Sequence, residues 1–89
     1  MQRISVTFSG RVQGVGFRAS VLDIATGSGV AGWVRNQEDG KVCMEVQGDS
    51  EQIDGVLSRV RARFKGMITD EDRCGVAVID RETGFSILR

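Results

Sequence analysis

The 89 residues carry twelve basic and twelve acidic side chains, a formal net charge of zero, and no histidine. That length supports one domain, residues 1–89, and the charge balance excludes a global field that would hold the chain on nucleic acid or an anionic membrane. The missing histidine excludes His-dependent triads, His general bases, phosphohistidine intermediates and His-ligated metals.

Cys43 and Cys74 have neither C-x-x-C spacing nor a histidine partner, so they read as reduced structural thiols and not as a metal site. The longest apolar runs are strand-sized, and Met1 to Ser5 contains no apolar h-region. We therefore expect neither a signal peptide nor a membrane span, and a cytoplasmic location.

In chain order, Ile4, Val6 and Phe8 alternate with Arg3, Ser5, Thr7 and Ser9, the period of two of a half-buried strand. A glycine-punctuated loop follows. From Phe17 the apolar residues Phe17, Val21, Ile24 and Ala25 recur at helical spacing until Gly27-Ser28-Gly29 breaks the pattern. Val30 to Asn36 and Lys41 to Gln47 read as two strands, and Asp39-Gly40 between them is the turn signal of an antiparallel hairpin. By alternation Cys43 falls on the polar face and is expected to be partly exposed.

Asp49 with Gln52 has the form of a capping box, and Ile53, Val56, Leu57, Val60 and Phe64 trace one apolar stripe over about four turns. Gly55 interrupts this helix, either because the backbone packs closely there or as a cost of about 1 kcal/mol relative to alanine. Arg59, Arg61, Arg63 and Lys65 read as helix-end charge and not as a nucleic-acid patch, because no aromatic platform accompanies them. Met67 to Asp72 reads as a polar connection, Val76 to Ile79 as a buried fourth strand, and Gly84 to Arg89 as a short last one. The order predicts an α+β, ferredoxin-like βαββαβ sandwich: an antiparallel sheet with two helices on one face and a short fifth strand at the C-terminus.

The loop Ser9-Gly10-Arg11-Val12-Gln13-Gly14-Val15-Gly16-Phe17-Arg18 has the makings of a phosphate cradle. Glycines permit positive φ values that turn successive N–H groups toward one anion, and the free amides of a helix starting at Phe17 face the same point. Arg18 adds a planar, charged fork suited to two phosphate oxygens. Gly14-x-Gly16-x-x-Ala19 also matches a relaxed dinucleotide fingerprint, but the antiparallel hairpin and the short chain exclude that fold. No Gly-Lys-Ser/Thr ends the loop, which excludes a P-loop.

Together, Gly10-x-Val12-Gln13-Gly14-Val15-Gly16-Phe17-Arg18 and Gly32-Trp33-Val34-x-Asn36-x-x-x-Gly40 closely resemble the acylphosphatase family. The resemblance covers nearly the whole chain, including Ala25 and Phe85-Ser86-Ile87. It implies a small, cofactor-free hydrolase that cleaves acyl phosphates to a carboxylate and inorganic phosphate. Arg18 then matches the phosphate-binding arginine and Asn36 the asparagine that orients the attacking water. The backbone amides of Gln13, Gly14, Val15, Gly16, Phe17 and Arg18 match the phosphate loop, a place for phosphate or sulfate. In this picture the Gln13 and Val15 side chains matter less than their N–H groups, and Trp33 and Arg35 lie outside the first layer of contacts.

An acyl phosphate already has a good leaving group, so such a site must chiefly hold phosphoryl oxygens and aim a water in line. The resemblance weakens after the second helix, where Lys65-Gly66-Met67-Ile68-Thr69 replaces the expected Gly-Pro type turn. Two other readings stay open on the residues. One is a non-catalytic anion-binding or regulatory module of the same fold. The other is a ferredoxin-like RNA-binding domain, which zero net charge and the absence of tyrosine disfavour. The expected state is a monomer with a small-molecule substrate and neither nucleic-acid nor membrane partners.

Overall fold

The computed structural model describes all 89 residues. The alternating N-terminal run forms β1 (Gln2–Gly10), the glycine loop leads into α1 (Phe17–Thr26), and the hairpin supplies β2 (Ala31–Asn36) and β3 (Val42–Gly48). The capped, striped segment forms α2 (Ser50–Arg63), followed by β4 (Ile68–Gly75) and β5 (Phe85–Ile87). The strands lie in the order β4-β1-β3-β2-β5.

The first four strands pair antiparallel, with Val6 opposite Met44 and Val34 opposite Met44 from the other side. β5 joins parallel to β2, Gly32 opposite Phe85, so the sheet is mixed and not wholly antiparallel. A parallel neighbour requires a crossover, and the nine residues between β4 and β5 provide one by passing from one sheet edge to the other.

The period-two alternation puts Val6, Phe8, Val34, Val42, Met44 and Val46 on one face, where all are fully buried. Both helices lay their apolar stripes on that face, Phe17, Val21, Ile24 and Ala25 from α1 and Ile53, Val56, Leu57 and Val60 from α2. Burying one such aliphatic side chain is worth about 1.5–3 kcal/mol, and this single layer supplies most of what holds a chain this small together. At the start of α2, Gln52 Oε1 accepts the Asp49 N–H at 2.9 Å, one arm of the expected capping box. Gly55 is exposed and a Cβ there would meet nothing within 4 Å, so its helix-propensity cost is carried without a packing return.

Two expectations for the C-terminal third are corrected. The supposed connection after Met67 is the edge strand β4, and Val76 to Ile79 is not a strand: it is irregular, with Val78 and Ile79 both 46% exposed. β4 carries Asp70, Glu71, Asp72 and Arg73, charges that suit an edge open to solvent and blunt edge-to-edge pairing. The apolar run instead begins the crossover, which the polar face of the sheet holds in place. Gln47 Nε2 donates to Ile79 O at 2.9 Å, the Ile79 N–H donates to Gln47 Oε1 at 2.8 Å, and the Val76 N–H donates to Arg3 O at 3.0 Å. Cys43 is corrected as well. It lies on the polar face as expected but is buried, with Ser5 Oγ 3.8 Å from its sulfur, while Cys74 is the exposed thiol.

Two basic residues of α2 pair with neighbouring elements, Arg61 with Glu71 of β4 at 3.1 Å and Arg63 with Asp23 of α1 at 3.7 Å. No helix is long and apolar enough to cross a membrane.

Candidate active site

Residues 11–16 link β1 to α1 at one end of the sheet, and the sequence anchors this loop at both ends while leaving its middle open. Val12 and Phe17 are buried, 1% and 2% exposed. Phe17 packs its ring edge-on to Phe8, centroids 5.2 Å apart, and against Phe64 at 4.7 Å. The Arg11 N–H donates to Met67 O at 2.9 Å, tying the loop's start to the beginning of β4. Between the anchors Gly14 and Gly16 are exposed.

Gly14 (φ 75°) and Gly16 (φ 78°) both adopt left-handed backbone, with Gly16 standing as the N-cap of α1. A Cβ at either position would meet no atom within 4 Å, so glycine is required there by backbone conformation alone. Left-handed residues on either side of Val15, whose own φ is not positive, are the kind of alternation that turns successive N–H groups toward one anion. After Val12, the next main-chain N–H that donates within the chain is that of Ser20, to Gly16 O. The amides of Gln13, Gly14, Val15, Gly16, Phe17 and Arg18 are therefore all free to donate to a ligand.

Charge points the same way. α1 has no acidic residue in its first turn and no side chain capping its N-terminus, and its second residue is Arg18. A cation at the positive end of a helix dipole is unfavourable unless an anion lies between them. Arg18 is half-buried and makes no ion pair within the chain. The loop amides and Arg18 thus lie next to one another in the chain at the positive end of α1, with no carboxylate paired to the guanidinium.

Asn36 ends β2 at the hairpin, opposite Val42. Its Oδ1 is the one buried side-chain oxygen or nitrogen in the molecule with no hydrogen-bond partner. An unmet acceptor of this kind costs about 1–3 kcal/mol, a penalty that a bound donor such as water removes. Gly32 sets the strand that carries Asn36: a Cβ there would lie 1.9 Å from Glu45 O, so only glycine lets β2 close onto β3. The Arg35 guanidinium lies 5.4 Å from the Trp33 ring centroid.

The loop and the hairpin meet through a side chain that sequence reasoning set aside. Gln13 Nε2 donates to Gln37 O at 2.8 Å and to Lys41 O at 2.9 Å, the two ends of the hairpin turn beside Asn36. A cleft of about 430 Å³ opens at the same end of β2, lined by Arg35, Asn36, Gln37, Glu38 and Arg89. Arg89 could not have been found from spacing, because it reaches this cleft only by the parallel pairing of β5 with β2, continued where the Leu88 N–H donates to Val34 O. No cluster of three His, Cys, Asp or Glu residues stands where it could hold a metal ion.

The acylphosphatase family model matches residues 4–87. An acylphosphatase of Methylococcus capsulatus is 40% identical over 94 aligned positions that span 100% of this chain and 98% of the relative. The crystal structure of acylphosphatase from Bacillus subtilis superposes with a TM-score of 0.91 at 30% identity, covering 100% of both chains. A crystal structure of full-length HypF in a phosphate- and nucleotide-bound form contains a similar unit, with a TM-score of 0.85 at 25% identity over 99% of this chain and 12% of that one. With a family model spanning nearly its whole length and a relative aligned end to end, the chain belongs to the acylphosphatase family.

Proposed function

We propose that this chain hydrolyses acyl phosphates with the loop amides and Arg18 holding the phosphoryl group and Asn36 orienting the water. The observation that carries the reading is the coincidence of two unmet needs at one end of the sheet. The consecutive amides of Gln13 to Arg18 have no acceptor within the chain, and the Asn36 Oδ1 has no donor within it. A phosphoryl group answers the first and a water the second.

The chemistry asks for little more. Water attacks phosphorus in line while the bridging P–O bond breaks, and that bond's electron pair leaves with the carboxylate. Carboxylates are good leaving groups, so no general acid is needed. Asn36 cannot take a proton near neutrality but can accept a hydrogen bond from the water through Oδ1, and a nonbridging phosphoryl oxygen receives the proton as inorganic phosphate forms. Charge in the transition state is spread over the equatorial oxygens, where preorganised N–H groups and the guanidinium meet it. All these groups come from one chain, which supports action as a monomer, and we place the enzyme in the cytoplasm.

The test is phosphate release from benzoyl phosphate in the presence of a chelator, run in ¹⁸O-labelled water. Turnover with the label in phosphate is the expected result. No turnover leaves a binding module of the same fold, and label in benzoate places attack at carbon and contradicts the reading.

A further inference from the structure

Gln13 is the only side chain that hydrogen-bonds the glycine loop to the hairpin bearing Asn36. Its two acceptors are not equivalent to any two exposed carbonyls. The Gln37 N–H donates to Lys41 O at 2.8 Å and the Gly40 N–H donates to Gln37 O at 3.2 Å, so these carbonyls mark the mouth of the turn. Asn36 is the residue immediately before that turn. The carboxamide therefore fixes where the hairpin end sits relative to the loop, and its N–H₂ group has the two donors the task requires.

Resting on the hydrolytic reading above, we infer that the Gln13 side chain is a positioning residue: it sets the distance and angle between the phosphate cradle and the Asn36-held water. It touches neither substrate nor water. Each acceptor carbonyl keeps a main-chain donor without it, so its removal leaves no orphaned buried group and the fold is expected to survive. What changes is the alignment of two halves of a site, and a misplacement of about 1 Å can cost about 10²-fold in rate.

A double-mutant cycle reads this directly. Benzoyl phosphate hydrolysis is measured for the wild type, Gln13→Met, Asn36→Ala and the double variant, with inorganic phosphate as competitive inhibitor and Tm recorded for each. Gln13→Met is expected to lower kcat by about 10- to 100-fold, with KM and the phosphate inhibition constant within about threefold of wild type. In the Asn36→Ala background the same substitution is expected to change kcat by less than about twofold, because the water it helps to place is no longer held.

Equal losses in both backgrounds, or a loss confined to KM and the inhibition constant, overturn the inference while leaving the hydrolase reading intact. A wild type without turnover overturns both. If Gln13→Met melts below the assay temperature, Gln13→Asn takes its place. It keeps the amide but is one methylene too short to bridge both carbonyls, and the same split is expected of it.

Discussion

An arginine as the second residue of a helix, with no acidic neighbour in that turn, opposes the helix dipole, and the proposed phosphoryl group would offset that opposition. From this follow two predictions at the residue scale. Arg18→Ala is expected to lower kcat/KM by at least about 10³-fold, and Arg18→Lys to recover little, since a point charge cannot present two parallel donors. The second concerns pH. The side chains and amides assigned to the site contain no group that ordinarily titrates between about pH 5 and 8, so kcat is expected to stay within about threefold across that range and to be unaffected by chelator. A steep inflection near pH 6.5 in enzyme-limited turnover would point to an acid or base outside this set.

At this scale the glycine spacing already marked the left-handed turns at Gly14 and Gly16, because residue type alone expresses that freedom, while the roles of Arg18, Asn36 and the loop amides rest on the proposal above. The sequence was uninformative about Gln13 and Arg89, whose positions at the site depend on contacts 24 or more residues away in sequence and on the direction of β5.

Among the elements, those with strong local signals were legible. The Asp39-Gly40 turn, the apolar stripe of α2 and the break after Thr26 each follow from near neighbours, and the structure places them within a residue or two. The exchange between β4 and the run after it has the opposite cause. Val76-Ala77-Val78-Ile79 has the composition of a buried strand, yet an edge position was filled by the charged Ile68–Gly75, whose side chains tolerate solvent. Pairing with β1 decided the matter, and pairing is not local.

Gly55 gives the element-scale prediction. Its surroundings are open, so Gly55→Ala is expected to stabilise the protein by about 0.5–1 kcal/mol, a rise in Tm of about 2–8 °C by thermal denaturation. Gly32→Ala is expected to do the reverse, since the new Cβ would collide with the Glu45 carbonyl inside the β2–β3 ladder; loss of the cooperative melting transition is the anticipated outcome.

Across the whole molecule, one face of the sheet is covered by helices and the other by a single strap, and Arg3 holds the strap. Its side chain is buried on the polar face, where Nε donates to Glu45 at 2.6 Å and a terminal nitrogen donates to Glu82. Burial opposes the Arg3 charge, but the hydrogen bonds to Glu82 and Glu45 outweigh it and raise the pKa above the ordinary value. A raised cationic pKa contributes stability below the unfolded value that is lost only as pH climbs through the folded one. For arginine both lie far into alkali, so Arg3 keeps its charge throughout the working range.

Removing the guanidinium would leave two carboxylates facing an apolar stub. Arg3→Met is expected to cost about 3 kcal/mol, and Tm to fall by about 12–24 °C. Because the strap delivers β5 and Arg89 to the cleft beside Asn36, the same substitution is expected to raise protease susceptibility within residues 76–84 before the rest of the chain.

The central claim is a division of labour between the loop and the end of β2, and it is tested most directly by steady-state hydrolysis of benzoyl phosphate by Asn36→Ala beside the wild type. If Asn36 only aims the water, kcat falls by about 10²- to 10³-fold while KM and inhibition by inorganic phosphate stay near wild type. Wild-type kcat in Asn36→Ala, or a loss expressed only as weaker phosphate binding, would contradict it.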